Sequence, residues 1–375
     1  MKNPFYVREI PVSGAFCNRE KELNELTRHA LNRMNVVLFS PRRFGKTSLA
    51  KRVMESVRKK HLLPIYVDLV KVTSIEDITG RLAAKIFEFT HPRESIFKKA
   101  MRYLKMWRPV LRPNPEVGME VTVEPAGGNF REKMLEETLE ALQEFAKSER
   151  KGCYVVLDEF QDITSLPNSA NIEGRMRSHI QRHDKISYLF VGSKQHLLAD
   201  MFRDRERAFY QSGTLYPLKS IEVQEFSRFI HYQFRSAGIQ CSKGIAEKIT
   251  SYTNGHPYYT QKLAYFVFEN AARTAREADV SKAIGDLHES EKLVFEIMAG
   301  PLAPQQMSLA LAIAREPTRS IFSPRYMSKH QLGSIGGVQG AIGKLLELDY
   351  IEKDDKGFKI IDPLFRHWLL SLSYK

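Results

Sequence analysis

The chain has few cysteines and no long apolar stretch. Its 3 cysteines lie far apart in 375 residues, at Cys17, Cys153 and Cys241. Neither their number nor their spacing fits a disulfide framework or a zinc site, so we expect a reducing, cytoplasmic environment. No run reaches the roughly 20 apolar residues that a membrane-spanning helix needs. The N-terminus has no apolar segment typical of a secretory signal. We therefore expect no membrane partner.

The sequence also lacks internal repeats and low-complexity tracts. A chain of 375 residues with 43% hydrophobic residues is long enough for two or three globular domains. The formal net charge is +13, which favours polyanionic partners without identifying them. The excess charge fits contact with nucleic acid and a merely solvated basic surface equally well.

Short apolar runs alternate with amphipathic stretches through the first half of the chain. Such alternation predicts a parallel sheet that helices cover on both faces. The predicted strands are 36–39, 63–69, 153–157, 186–193 and 213–218. A predicted helix, 18–34, precedes them, and the helices 46–60, 75–89 and 130–150 lie between them. The segment 92–129 interrupts this order. We predict a basic helix at 95–107 and then either an extended excursion or an edge hairpin.

The most informative segment follows the first predicted strand. It reads Ser-Pro-Arg-Arg-Phe-Gly-Lys-Thr over residues 40–47, a tight turn that opens a helix. Unpaired N–H groups in the first turn of a helix bind phosphate. In such a loop, Lys46 reaches the β- and γ-phosphates and the Thr47 hydroxyl binds Mg²⁺. We therefore predict that ATP and Mg²⁺ are bound by Ser40, Pro41, Arg42, Arg43, Phe44, Gly45, Lys46, Thr47 and Ser48.

One position departs from the usual pattern, G-x-x-x-x-G-K-[ST]. The chain has Ser40 where the pattern has its first glycine. Serine is small enough for the turn, but we expect it to restrict the backbone if the turn needs a positive φ. A chance Gly-Lys-Thr in a surface loop is the alternative interpretation.

A second motif lies just over a hundred residues further on. Four apolar residues, 154–157, precede Asp158 and Glu159. A buried strand that delivers acids at its carboxyl end places them where open α/β sheets carry their chemistry. We predict that Asp158 holds Mg²⁺ and that Glu159 acts as the general base for an attacking water. Asp162 is interpreted as a helix cap.

Three further segments are candidates, each with two interpretations. Ser193 either contacts the γ-phosphate or caps the following helix. The arginines of 203–207 either include an arginine finger, acting in the same chain or on a neighbouring subunit, or form a basic surface loop. His256 and Pro257 either contact the nucleotide from a lid or only form a helix start after Gly255.

Together these motifs resemble the archaeal-type ATPase family, a branch close to the signal-transduction (STAND) ATPases within the AAA+ group. The resemblance rests on Asn3-Pro4-Phe5, on 16–20 and 40–47, on Leu157-Asp158-Glu159-Phe160-Gln161, on Gly192-Ser193, on 207–210, on Gly255-His256-Pro257 and on 361–368. It covers nearly the whole chain. It departs at Ser40 and at Asn18, where family members usually have glycine. The resemblance implies ATP binding and hydrolysis and leaves the biological role open.

The C-terminal part has its own pattern. An amphipathic stretch, 338–351, precedes two short strands that a turn at 354–357 joins. A helix followed by a hairpin is the winged-helix plan. The predicted recognition helix offers Gln339 and Lys344 but no row of arginines, whereas 315–329 supplies Arg315, Arg319, Arg325 and Lys329. DNA and a protein partner both remain open, as does an autoinhibitory role.

The predicted architecture is an α/β P-loop NTPase with a RecA/AAA+-like parallel sheet, a helical lid and a C-terminal winged helix. We place the ATPase core at 1–220, the lid at 221–288 and the winged helix at 289–375. We expect the stretch 279–290 to be a charged connector. Water would attack the γ-phosphate of ATP, with Lys46, Asp158 and Glu159 as the catalytic residues and Thr47 and Asp158 as the Mg²⁺ ligands. Bound nucleotide would fix the lid against the core, and hydrolysis would release it. The alternatives are a DNA-binding protein with ATP as a regulatory ligand and a signalling scaffold that does not turn over; a homo-oligomer is left open.

Overall fold

A computed structural model describes the chain at residues 2–8, 10–11, 14, 16–90, 104, 107–114, 118–126, 131–148, 152–355 and 357–372. It divides into two compact units. One comprises 19–40 and 46–218, and the other comprises 1–18, 41–45 and 219–375. We call them the sheet unit and the helical unit. No helix among the described residues is long and apolar enough to cross a membrane.

Five strands form the sheet of the sheet unit. They are β1 (Val36–Phe39), β2 (Leu63–Asp68), β5 (Cys153–Asp158), β6 (Ile186–Gly192) and β7 (Thr214–Pro217). Their order is β2-β5-β6-β1-β7, and every pair is parallel. The predicted parallel sheet is therefore confirmed. Because all strands point the same way, the residues after β1, β2, β5 and β6 meet at one edge.

One helix precedes these strands along the chain, and further helices separate them. They are α1 (Glu20–Leu31), α2 (Lys46–Lys59), α3 (Ile75–Thr90), α4 (Arg131–Ser148), α5 (Ser169–Ile180) and α6 (Gln195–Arg203). The strands β1, β5 and β6 are buried along their whole length, which explains their continuous apolar sequences. Aromatic rings fill part of the core. Phe160 packs against Phe190 with 4.7 Å between ring centroids and anchors the chain just after the two acids.

Of the two alternatives expected after the basic helix, a hairpin is present, and it forms a two-stranded sheet of its own. Strands β3 (Trp107–Asn114) and β4 (Gly118–Pro125) pair antiparallel. The Trp107 indole is buried and donates to the hydroxyl of Thr138 on α4 at 3.2 Å. The hairpin is thus fastened to the sheet unit. Most of the predicted basic helix at 95–107 lies outside the described residues.

The helical unit contains α7 (Val223–Ser236), α8 (Lys243–Tyr252), α9 (Pro257–Asn270) and α10 (Glu277–Ala299). We expected 279–290 to be a charged connector, and this was wrong. The segment lies within the 23-residue helix α10, because Val280, Ala283 and Leu287 recur at helical spacing and are fully buried. Charge on its other face is ordinary for a helix that borders solvent.

The winged-helix pattern is found at the end of the chain. It comprises α11 (Pro304–Arg315), α12 (Pro324–Lys329), α13 (Ile335–Glu347), β8 (Ile351–Asp354), β9 (Gly357–Ile360) and α14 (Pro363–Leu372). Strands β8 and β9 pair antiparallel, as the hairpin prediction required. The predicted division into domains at 220 and 288 stays a prediction; helix α10 runs through the second boundary.

Candidate functional site

The loop after β1 turns back on itself and is closed by its own lysine. Lys46, at the start of α2, is buried, and its Nζ donates to the Ser40 carbonyl at 2.8 Å and lies 3.4 Å from the Ser40 hydroxyl. The loop residues with positive φ are Arg43 (66°) and Gly45 (85°). Ser40 is not among the residues with positive φ, so the turn does not impose the backbone cost that a positive φ would have brought. Serine therefore suits this position, and it contributes two oxygens to the lysine.

Thr47 and Asp158 meet at the carboxyl edge of the sheet. The Thr47 hydroxyl donates to Oδ2 of Asp158 at 3.0 Å, although 111 positions separate the two residues. The hydroxyl of Tyr66 on β2 donates to the same oxygen at 2.6 Å. The other oxygen, Oδ1, accepts the backbone N–H of Glu159 at 2.9 Å. Both motifs found in the sequence therefore belong to one cluster.

The Asp158 carboxyl is buried, and burial raises its pKa above the ordinary range, with the Glu159 charge adding to the rise. Hydrogen bonds from Tyr66 and Thr47 oppose this change. A divalent cation beside the carboxylate would favour its ionised form. The environment thus suits an acid whose charge is neutralised by a bound metal.

Glu159 is held by three donors from the neighbouring strand end and from the turn that follows it. Its Oε2 accepts the Ser193 hydroxyl at 2.8 Å, the Ser193 N–H at 3.2 Å and Nε2 of Gln161 at 2.6 Å. Its backbone is left-handed, with φ 50°. Strained backbone at a non-glycine residue is concentrated at functional sites. The side chain is thereby directed along the edge of the sheet towards Ser193.

The oxygen donors in this cluster fit Mg²⁺. Magnesium prefers hard oxygen ligands and takes one or two from the protein, with water and phosphate completing the octahedron. The Thr47 hydroxyl and the Asp158 carboxylate are such a pair, and the nearby Lys46 ammonium suits an anion rather than a second metal. No group of three or more His, Cys, Asp or Glu side chains suited to a metal occurs among the described residues, so the cluster is not a metal cage made of protein alone.

The middle of the loop, Pro41 to Gly45, groups with the helical unit. The Phe44 ring lies 4.7 Å from the ring of His256, and both side chains are buried. His256 is the N-cap of α9, its Nδ1 accepting the Tyr259 N–H at 3.4 Å, and Pro257 is the first residue of that helix. Burial, with the Arg43 charge nearby, lowers the pKa of His256 to about 3. The ring is therefore neutral near pH 7.

Arg43 has several partners in the helical unit. Its Nη1 lies 3.0 Å from Oε2 of Glu291, and its guanidinium lies 4.4 Å from the centre of the Tyr258 ring. Arg42 is exposed. Contact of Pro41 to Gly45 and of His256 and Pro257 with a nucleotide stays a prediction.

Two of the alternatives can be compared with the structure. Lys194, not Ser193, is the N-cap residue of α6, and it makes no side-chain cap bond; the Ser193 hydroxyl binds Glu159 instead. Asp162 is not a helix cap either. It lies inside a 3₁₀ turn, Phe160–Ser165, where its Oδ2 accepts the Lys71 N–H at 2.9 Å. It joins the loop after β2 to the turn after β5.

The three arginines of 203–207, at and after the end of α6, differ in their surroundings. Arg207 is ion-paired with Glu173 on α5, with Nε 3.1 Å from Oε2, and the Glu173 side chain is only 1% exposed. Arg203 and Arg205 are exposed. Arg207 is therefore a structural residue in this arrangement, and the exposed pair is better placed to reach another molecule.

The sheet unit thus brings together Ser40, Lys46, Thr47, Asp158, Glu159 and Ser193, and the helical unit brings together Arg43, Phe44 and His256. Sequence reasoning missed Tyr66 and the role of Gln161. A hydroxyl inside an otherwise apolar strand, two residues before its end, was the signal for Tyr66. For Gln161, a fully buried side chain right after two acids, the sequence carried no comparable signal. That these residues bind nucleotide stays a prediction.

Comparisons with known proteins agree with the fold. Residues 16–263 match the model of an ATPase domain found predominantly in Archaea, and residues 293–371 match that of a probable winged helix domain. A search of curated protein sequences found no match.

Solved structures with a similar fold include a Walker-type ATPase of Pyrococcus abyssi (TM-score 0.71, 17% identity, covering 98% of this chain and 99% of that one). The Aeropyrum pernix ORC2 protein, solved as ADPNP–ADP complexes, is also similar (TM-score 0.60, 16% identity, 100% and 98% coverage). A third is the ORC1 protein of the same organism, in complex with DNA (TM-score 0.51, 14% identity, 98% and 94% coverage). At these identities the likeness concerns the fold.

Proposed function

Because the chain belongs to the family of ATPase domains found predominantly in Archaea, we propose that it binds ATP with Mg²⁺ at the loop 40–48 and hydrolyses it slowly to ADP and phosphate. The observation that carries the proposal is the 3.0 Å contact of the Thr47 hydroxyl with the Asp158 carboxylate. It joins the loop that would bind phosphate to the acid that would complete the metal site. Of the similar structures, A. pernix ORC2 was solved as ADPNP–ADP complexes, which supports a nucleotide ligand.

In this proposal each residue has a separate task. Lys46 neutralises charge on the β- and γ-phosphates, and the N–H groups of the first turn of α2 donate to them. Thr47 and Asp158 hold Mg²⁺, which supplies charge stabilisation at the phosphates when it is bound. Water attacks the γ-phosphorus, the bond from this atom to the β,γ-bridging oxygen breaks, and ADP leaves. Glu159 takes the proton of the attacking water.

The environment of Glu159 supports this role. Three donors from Ser193 and Gln161 converge on Oε2, so we assign the other oxygen, Oε1, to the water. The Ser193 hydroxyl lies beside the acid and would sense the γ-phosphate through it. This contact supports the interpretation of Ser193 as a functional residue.

Nucleotide-dependent stabilisation tests binding directly. A ligand that binds only the folded state raises the melting temperature. We expect Mg-ATP to raise the melting temperature of the wild type and to leave that of Lys46→Ala unchanged. Unchanged melting of both proteins would refute ATP as the ligand.

We further propose that hydrolysis switches the protein between two states, as in signal-transduction ATPases. A single-turnover measurement would separate such a switch from a fast motor.

A partner for the winged helix is a second part of the proposal. Arg315, Arg319 and Arg325 are exposed and favour nucleic acid. The similar ORC1 protein was solved in complex with DNA, which supports the same choice. The exposed face of α13 does not favour nucleic acid. Lys344 already pairs with Glu347 at 2.8 Å, and Gly336, Gly340 and Gly343 supply no cation. DNA is therefore a candidate ligand of the arginine segment rather than of the helix.

Salt dependence tests this candidate. Each phosphate contact that is lost makes the salt slope of DNA affinity shallower by about one. We expect that Arg319→Ala and Arg325→Ala each reduce the slope, whereas Lys329→Ala, whose Nζ already lies 2.5 Å from Glu316, changes it less. Affinity without any salt dependence would favour a protein partner. We also propose the cytoplasm as the compartment, in keeping with only 3 cysteines spread widely along 375 residues. We propose as well an oligomer in which Arg203 or Arg205 reaches a neighbouring site.

A further inference from the structure

The third variable residue of the phosphate loop, Arg43, is held in an unfavourable backbone conformation. Its φ is 66°, in the left-handed region that costs a non-glycine residue free energy. The surrounding contacts must therefore favour this conformation over the relaxed one. These contacts all lie within the helical unit, to which residues 41–45 belong.

The contacts of Arg43 converge on one buried acid, Glu291 of α10. Arg43 Nη1 lies 3.0 Å from Glu291 Oε2, and the Glu291 side chain is only 3% exposed. Lys262 on α9 lies 2.6 Å from the other oxygen, Oε1, which also accepts the Tyr258 hydroxyl at 3.3 Å. Burial alone would raise the pKa of Glu291, but hydrogen bonds from Lys262 and Arg43 hold it below its ordinary value. The acid is thus ionised and bound by two cations.

The cluster extends to the last helix of the chain. The guanidinium of Arg43 lies 3.5 Å from the Tyr259 hydroxyl, which donates to Oδ2 of Asp362 at 2.6 Å. Oδ1 of Asp362 accepts the N–H groups of Leu364 and Phe365 at 2.8 and 2.9 Å. Asp362 therefore caps α14, a helix of the winged-helix domain. One short set of polar contacts connects the loop with that domain.

We propose that Glu291 is a positioning residue for nucleotide binding: it fixes Arg43 in the left-handed conformation, and the Tyr259–Asp362 hydrogen bond ties this arrangement to the winged helix. The inference rests on the proposed function for its effect on ATP. Its effect on the loop itself exists without nucleotide. An arginine at this position is thereby used to hold the loop rather than to bind phosphate.

Glycine at position 43 gives the sharpest test, because it adopts a positive φ without strain. We expect Glu291→Gln to raise the Kd for Mg-ATP about three- to tenfold. This is the change expected when one residue is no longer held in its strained conformation before ATP binds. In an Arg43→Gly background, Glu291→Gln should cause no further change. The matched control is Glu289→Gln, an exposed acid on the same helix, which should leave the Kd unchanged. An equal loss in both backgrounds would overturn the proposal.

Hydrogen exchange of the protein without nucleotide separates this inference from the proposed function. The amides of residues 42–46 should exchange faster in Glu291→Gln than in the wild type, and Tyr259→Phe should give a smaller change in the same peptide. Unchanged exchange in both variants overturns the positioning role even if ATP binds. A third outcome is faster exchange in the variants than in the wild type when none of these proteins binds ATP. It would uphold the restraint on the loop and refute both its role in nucleotide binding and the proposed function.

Discussion

The hydroxyl of Thr47 donates to the Asp158 carboxylate at 3.0 Å, and this contact unites two motifs that are remote in the chain. Thr47 lies in the first turn of α2, and Asp158 is the last residue of β5. Parallel strands bring their carboxyl ends to one edge, and the loop after β1 delivers the helix start there. The sheet order β2-β5-β6-β1-β7 therefore explains why the two residues meet.

The Thr47 hydroxyl should control the magnesium requirement. Thr47→Ala removes one of the two protein ligands that we propose for Mg²⁺, so we expect the Mg²⁺ concentration for half-maximal nucleotide binding to rise about tenfold. Thr47→Ser keeps the hydroxyl and serves as the matched control. Titration of Mg²⁺ at fixed ATP measures the difference. Equal requirements in the alanine and serine variants would exclude Thr47 as a ligand.

Glu159 should act on turnover and not on binding. Glu159→Gln removes the proposed general base, and we expect kcat to fall about 100-fold or more while the Kd for Mg-ATP changes by less than about threefold. Phosphate release and equilibrium titration give the two numbers. Glu140→Gln, an exposed acid on α4, is the control. A large loss of affinity with unchanged kcat would place Glu159 in binding instead.

His256 makes stability depend on pH. Its folded pKa is about 3, whereas an unfolded histidine titrates near pH 6.5. Between these values the unfolded state binds one more proton, so the free energy of unfolding falls as the pH is lowered. From pH 7 to pH 5 we expect this histidine to account for about 2 kcal/mol of lost stability.

Urea unfolding of the wild type and His256→Asn at both pH values checks this contribution. Asparagine can still cap α9 but does not titrate in this range. The stability loss of the variant should be smaller by the stated amount. An identical loss in both proteins would show that His256 is accessible to protons in the folded state.

Arg207 should matter for stability. Arg207→Ala leaves the buried Glu173 carboxylate without its cation, and we expect a loss of about 2–3 kcal/mol in the free energy of unfolding. Arg205→Ala, two residues away and exposed, should change it by less than about 0.5 kcal/mol. Equal stability of the two variants in urea would contradict a structural role for the Arg207–Glu173 pair.

Much of the fold was predictable because the local patterns are strong. The apolar runs of β1, β5 and β6, each followed by an amphipathic stretch, predict buried strands of a parallel sheet. The Gly45-Lys46-Thr47 turn identifies β1 as the strand that leads into the phosphate loop. The segment 279–290 was misassigned because charge was weighed above the helical spacing of Val280, Ala283 and Leu287. Periodicity was the better guide there.

The site was predictable only in part. Lys46, Thr47, Asp158 and Glu159 stand in motifs that local spacing reveals. Tyr66 and Glu291 reach their partners from elements far away in the chain, and only the tertiary structure shows those distances. Gln161 lies two residues from Glu159, and only the structure shows that its side chain turns back to that acid. The left-handed conformations of Arg43 and Glu159 could not be predicted from the sequence either, because arginine and glutamate rarely adopt a positive φ.

Titration calorimetry of Mg-ATP with the wild type and Lys46→Ala tests the central claim most directly. The Lys46 ammonium is buried beside Ser40, and its loss should weaken ATP binding about 100-fold. Lys59→Ala, at the exposed end of the same helix, should bind ATP as the wild type does. Equal affinity of the wild type and Lys46→Ala, or no binding by the wild type, would contradict the account.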